Sequence, residues 1–146
     1  MKHRISVGAL VVKDQRLLLA RHYRAGKYDF WAPPGGGVER DEELTAAAER
    51  ETFEETSIRI ATSRLAYIDE LIDDSGRIVK FWYAADYLSG EINVHANPAL
   101  DEAIAEAGWF APDTMPSGHV FPALLRDAFW DDFASGFPAP RKLPLL

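Results

Sequence analysis

The sequence predicts an α/β fold in which helices cover a twisted mixed sheet. Three observations predict it. Apolar, β-rich runs recur at 5–12, 17–21, 65–71 and 78–87. A helical segment follows residue 41, and an apolar-striped helical segment lies near the end, at 121–133. Mixed strands with one helix in the middle and another at the end need a layered packing to bury both kinds of apolar face.

The elements follow in order. Residues 5–12 are too uniformly apolar for a surface strand, and 13–16 (Lys-Asp-Gln-Arg) form a polar break before a short strand at 17–21. Together they predict a hairpin with both arms substantially buried. Residues 22–34 read as a loop, with Gly26 and the adjacent Pro33 and Pro34 forbidding helix there. Asp41 is the expected N-cap of a helix running to about Glu55, with Glu42 and Glu43 in its first turn suiting the helix dipole. Residues 65–71 and 78–87 read as strands around Asp73-Asp74-Ser75-Gly76, a strong turn sequence. A shorter strand and loop are expected at 90–97. Residues 100–106 have local helix propensity, competing with a strand at 103–110. Leu124, Leu125, Ala128 and Phe129 supply the stripe of the last helix. From Pro138 the tail is expected to be extended.

The 146 residues are the size of one domain, and 47% hydrophobic with 12% aromatic content can fill a sizeable core. A net charge of −7 argues against a nucleic-acid groove or an anionic membrane surface, but not against a small phosphorylated ligand whose bound cations reverse the local sign. There is no cysteine, which excludes disulfides, thiolate metal sites and cysteine nucleophiles. No signal pattern or membrane-length apolar run is seen, so a soluble, cytoplasmic protein is expected.

Residues 35–58 carry most of the chemistry. Gly35-Gly36-Gly37 precede a helix on which Glu51, Glu54 and Glu55 share one surface through three- and four-residue spacings. Like charges so placed repel by a few tenths of a kcal/mol per pair, so the helix asks for a counter-ion. Oxygen-only donors suit a hard cation such as Mg²⁺ or Mn²⁺, which typically sits between carboxylates and substrate phosphates. Leu44, Ala47 and Ala48 form an apolar stripe beside the acids. A merely solvated acidic face would not need the glycines or that adjacency. From the residues alone, this is a metal-dependent site for a phosphorylated substrate.

The same stretch resembles the Nudix box: Gly, five residues, Glu, seven residues, Arg-Glu, an aliphatic, any residue, Glu-Glu, any residue, Gly, an aliphatic. Gly36, Glu42, Arg50-Glu51, Glu54-Glu55 and Ile58 fall in register. Thr52 replaces the usual aliphatic, and Ser57 replaces the usual glycine, where a left-handed backbone is normally relieved. The lead-in Trp31-Ala32-Pro33-Pro34-Gly35-Gly36 resembles the family's Trp before Pro-Gly-Gly.

The resemblance implies an α/β/α sandwich with a twisted mixed β-sheet, formed by one Nudix domain over residues 1–146. It also implies a hydrolase that cleaves a pyrophosphate bond in a nucleoside diphosphate derivative, with Mg²⁺ or Mn²⁺ as cofactor. Glu54 and Glu55 would be the principal metal ligands, Glu51 a further ligand or the base, and the Gly35 carbonyl an added ligand. Gly36, Glu42 and Arg50 would hold the loop-helix geometry. Glu102, ahead of Trp109, is a candidate outlying ligand or base, with a solvated loop acid as the alternative. Some ADP-sugar hydrolases place a proline fifteen residues past the box; Asp73 stands there. That points to nucleoside triphosphates or similar small nucleotides, with an ADP-sugar pyrophosphatase or a non-catalytic nucleotide-binding domain as alternatives. The expected partner is a small nucleotide, with no nucleic acid and no membrane; a homodimer is left open.

No substrate-binding residue is assigned. Phe30, Trp31, Phe81, Trp82, Tyr83 and Phe110 could stack on a base, although core packing is the commoner use of such side chains. Arg21, His22, Arg24 and Lys27 could contact phosphates or form a solvated loop. His119 has no evident partner in the sequence.

Overall fold

A computed structural model describes residues 1–96 and 104–145. The chain runs β1 (His3–Lys13), β2 (Arg16–Arg24), β3 (Tyr28–Ala32), β4 (Gly35–Gly37), α1 (Leu44–Thr56), β5 (Arg59–Asp73), β6 (Gly76–Ser89), β7 (Ile104–Phe110), a 3-10 helix (Ala123–Arg126), α2 (Ala128–Ala134) and β8 (Arg141–Lys142).

The sheet is mixed, as expected. β1 pairs in parallel with β6 from His3↔Arg77 to Val12↔Asp86, β5 continues antiparallel to β6, and β8 lies parallel on β5. The β1–β2 hairpin turns at Asp14 and Gln15, both at positive φ (52° and 62°), which matches the twist of the flanking strands. Its arms pair only at Val12↔Leu17 and Lys13↔Arg16 and then part. β4 takes the edge β1 has left free, at Ser6, Val7 and Gly8. β2 is held by β3 along one edge and by β7 along the other.

Strand periodicity sorts the side chains to two faces. Leu10, Tyr67, Trp82 and Ala84 pack with Leu125, Phe129 and Phe137 under the 3-10 helix and α2. Val7, Phe81 and Tyr83 face the other way, under Ala47 and Ala48 of α1. Ala9, Val11 and Ala85 continue that face with Ile58 and Ile60. A helix layer on each side of the sheet gives the α/β/α sandwich. Leu17, Leu18 and Leu19 are fully buried, each contributing roughly 1.5–3 kcal/mol. Among the described residues no helix is long and apolar enough to cross a membrane.

Several boundaries depart from expectation. The segment read as a loop holds the end of β2 and all of β3. β3 is only five residues long and half exposed, and it lies between Gly26 and Pro33-Pro34, which read as loop punctuation; pairing with β2 and with residues 119–121 makes it a strand. Helix α1 starts at Leu44 rather than after Asp41, with Glu43 as a cap that makes no side-chain bond. Residues 39–42 form a turn closed by Glu42 N–H donating to Glu39 O at 2.8 Å, so Glu42 and Glu43 lie outside the first helical turn. Residues 91–96 form no strand, and residue 97 lies outside the described residues. The predicted helix at 121–133 is broken at Asp127 (φ −142°, ψ −85°), whose carboxylate accepts from Ala128 N–H and restarts the helix as α2.

Both departures within the acidic helix have local explanations. Thr52 is fully buried, and its hydroxyl donates to Ala48 O at 2.8 Å, so the polar atom is satisfied within the helix. Ser57 takes the left-handed conformation itself (φ 67°, ψ 13°), and its Oγ donates to Asn93 O at 2.9 Å. Asn93 N–H in turn donates to Thr56 O at 2.9 Å, tying residues 91–93 to the helix end. Ser57→Gly relieves the backbone and loses that hydroxyl bond, so stability in urea denaturation should change by less than about 1 kcal/mol. Ser57→Val has only the cost and should destabilise by roughly 1–3 kcal/mol. Equal midpoints for the two variants would contradict this account of the helix end.

Candidate active site

α1 presents its acids to one guanidinium. Arg50 Nε and Nη2 donate to Glu42 Oε2 and Oε1 at 2.8 and 2.9 Å, a bidentate pair. Its Nη1 donates to Glu51 Oε1 and to Glu54 Oε2, both at 3.1 Å. Nη2 also donates to Gly37 O at 3.2 Å, and Glu39 lies 3.7 Å from Nη1. Arg50 thereby ties the 39–42 turn, the β4 backbone and α1 together. It holds the Glu42 carboxyl below the usual carboxylate range, and the carboxylates push the Arg50 guanidinium higher still. The charge does not balance, because one cation faces four carboxylates.

Glu55 is fully buried, and its Oε2 accepts from Gly35 N–H at 3.3 Å. The two glycines of β4 are required by close approach. A Cβ on Gly36 would lie 2.6 Å from Glu51 Cδ, and one on Gly35 would lie 2.2 Å from Val7 O. Ser6 Oγ donates to Gly36 O at 2.9 Å, fixing the strand from its other side. Gly35, Gly36, Glu42, Arg50, Glu51, Glu54 and Glu55 are therefore brought to one place. Glu102 lies outside the described residues. Another acid of α1, Glu49, points elsewhere: it accepts from Thr62 N–H and Oγ1 at 3.0 and 2.9 Å and fastens the helix to β5.

The donor set suits a hard divalent cation: carboxylate oxygens, a net local negative charge and close glycine backbone. Among the described residues no three acidic or histidine side chains converge into a ready cage. Arg50 engages one oxygen each of Glu51 and Glu54, while Glu55 Oε2 accepts from Gly35 N–H.

Where β1 and β2 part, a cleft of about 310 Å³ runs beside β4, lined by Arg4, Ser6, His22, Phe30, Lys80 and the three glycines. Lys80 reaches from β6 towards Gly35, with Nζ 4.3 Å from the Trp82 ring centroid. Sequence reasoning did not single out Arg4 or Lys80. The available signal was a lysine inside the otherwise apolar Ile78-Val79-Lys80-Phe81-Trp82. Arg21 is committed elsewhere, bidentate to Asp29 at 2.8 and 2.9 Å and 3.4 Å from Glu106. Of the aromatics, Phe30 lines the cleft, Trp31 and Phe110 pack edge to face, and Phe81 and Tyr83 pack under α1.

Comparison with known proteins extends this geometry to most of the chain. A family model, the NUDIX domain, matches residues 2–129. The NAD-capped RNA hydrolase NudC of Mannheimia succiniciproducens is 32% identical over 130 residues, covering 83% of this chain and 46% of that protein. The RNA pyrophosphohydrolase of Bartonella henselae is 33% identical over 157 aligned residues, covering 87% of this chain and 90% of that one. The crystal structure of a MutT NUDIX hydrolase from Burkholderia pseudomallei superposes with a TM-score of 0.69 at 32% identity, over 86% of this chain and 96% of that chain. This chain spans about half the length of the NudC relative. With the family model matching residues 2–129, the chain belongs to the Nudix family.

Proposed function

We propose that this chain is a divalent-metal-dependent hydrolase that cleaves a pyrophosphate bond in a nucleoside diphosphate derivative, with a nucleoside triphosphate or similar small nucleotide as substrate. One observation carries the reading. Four carboxylates share a single guanidinium on one side of β4, and Arg4 and Lys80 line the cleft beside the same strand. The acids suit a cation, and the two bases suit phosphate.

In this reading Glu54 and Glu55 hold the metal with Glu51 as a third ligand or as the base that takes the proton of the attacking water. A bound divalent cation would neutralise the phosphates and acidify that water. The Gly35 backbone stands close enough to Glu55 to belong to the same site. Arg50 positions Glu51 and Glu54 while keeping its bidentate grip on Glu42. Glu102 stays a proposed outlying acid, and the whole chain is proposed as one Nudix domain. The names of the two curated relatives favour a second reading, in which the pyrophosphate bond belongs to an RNA. The net charge of −7 weighs against a long polynucleotide track.

A panel of nucleoside triphosphates, nucleoside diphosphate sugars and 5′-triphosphorylated RNA, assayed with Mg²⁺ and with Mn²⁺, should show cleavage of at least one substrate and none after chelation. Glu54→Gln should lower turnover roughly 10²-fold or more, since it removes one electrostatic stabiliser while keeping shape. Chelator-resistant cleavage, or normal turnover in folded Glu54→Gln protein, would defeat the metal assignment.

Glu42 makes a separate test of the scaffold. Its carboxyl titrates lower in the folded chain than in the unfolded one, because the Arg50 pair favours the charged form. Its contribution is therefore present above the unfolded value, near pH 4.3, and lost as pH falls through the folded value. Glu42→Gln should cost roughly 1–2 kcal/mol at pH 7, and the gap to the parent protein should narrow progressively as pH falls from the unfolded value through the lower folded one. A gap independent of pH would exclude this ion pair as its source.

A further inference from the structure

The cleft beside β4 adjoins a cavity of about 510 Å³, a size typical of small-ligand sites, and the two share Ser6, Phe30, Ala32, Ile78 and Lys80. The second part has different chemistry. Phe30 and Phe121 meet edge to face at 5.6 Å, and their outer faces stack on His22 at 4.8 Å and on His119 at 6.1 Å. Trp82 adds a third aromatic wall. Into this lining β5 places two acids. Glu70 is committed to Arg77 and Lys142 at 3.0 and 3.2 Å. Asp69 is only 9% exposed, and its Oδ1 accepts from Glu70 N–H at 2.9 Å. A carboxylate has about four lone-pair sites, so most of its accepting capacity is unused by that bond. Lys80, its register partner on β6, lines the same cavity, and acceptor sites left over stay costly to bury unless further donors meet them.

We infer that this cavity takes the nucleobase of the substrate and that Asp69 selects a base with two adjacent donors, a ring N–H beside an exocyclic amine, which is the edge of guanine. The inference rests on the reading above that the substrate is a nucleotide. Aromatic walls stack on any base and cannot discriminate alone. An acceptor-only carboxylate can. Adenine and cytosine place a ring acceptor beside their amine, and uracil flanks its N–H with carbonyl oxygens. Each would set a lone pair against Asp69. Guanine alone among the common bases offers two donors side by side. Arg4, at the β4 end of the connected space, then falls to the phosphate side of the same ligand, and Lys80, which lines both parts and pairs in register with Asp69, stands between phosphate and base.

Calorimetric titration with the monophosphates GMP, IMP, AMP and CMP, without metal, tests this. GMP should bind tightest. IMP, which lacks the exocyclic amine, should bind about tenfold more weakly, and AMP and CMP at least as weakly. Asp69→Asn should weaken GMP about tenfold or more while changing AMP by less than about twofold, and Phe121→Ala should weaken all four alike. Equal binding of GMP, IMP and AMP to the parent protein would overturn the assignment, with no dependence on how a variant folds. So would an Asp69→Asn loss shared evenly by every base. Guanine-selective binding without hydrolysis of any nucleotide would refute the enzymatic reading and leave the base pocket standing. Hydrolysis with no base preference would do the reverse.

Discussion

One guanidinium holds the acidic end of this molecule together. Arg50 contacts the 39–42 turn through Glu39 and Glu42, the glycine strand through Gly37 O, and its own helix through Glu51 and Glu54. These segments are separate in sequence and would repel one another through their acids without it. A partly buried ion pair is worth modest net stability, but removing one partner strands the other charges, which is far more costly. The arrangement also leaves negative charge in excess, so the constraint that shapes the site is the same one that prepares it for a cation.

Packing supplies the rigidity behind that arrangement. Ala47 and Ala48 carry so little bulk that α1 can lie close on Val7, with Phe81 and Tyr83 around the contact. Close approach of helix to sheet brings Glu55 against Gly35 and Glu51 against Gly36, where no side chain could stand. Small residues on the helix and glycines on the strand are thus two halves of one steric requirement. Glu49 fixes the rotation of the helix from the opposite side by binding Thr62 on β5.

How much of this was legible in the sequence depended on how local each feature is. The buried hairpin, the β5–β6 turn and the acidic face of α1 rest on patterns a few residues long, and they were readable. The start of α1 was misread because Asp41 has good capping chemistry, whereas Glu42 is drawn into a turn by Arg50, eight residues further on. β3 was missed because it is five residues long and enclosed by Gly26 and Pro33-Pro34, and because part of its pairing is with residues about ninety positions on. The break at Asp127 is invisible to an apolar stripe that continues on both sides of it. The glycine and acid positions of the candidate site could be named from spacing, but the cleft could not. Its lining comes from five strands that meet only in the folded sheet, and a lone lysine or aspartate in a strand does not announce which neighbours it will have.

The brief pairing of β1 with β2 has a consequence for how such a cleft can vary. Two residue pairs act as a hinge pin, and beyond them the gap between the arms is set by which short strands fill the vacated edges. The width of the cleft is therefore a property of the backbone path, guarded by main-chain bonds. Its chemistry belongs to side chains such as Arg4, Phe30, Asp69 and Lys80, which project into the gap without bearing its load. Size and selectivity are mechanically decoupled, so a substitution in the lining can change what the cleft recognises while the frame around it keeps its dimensions.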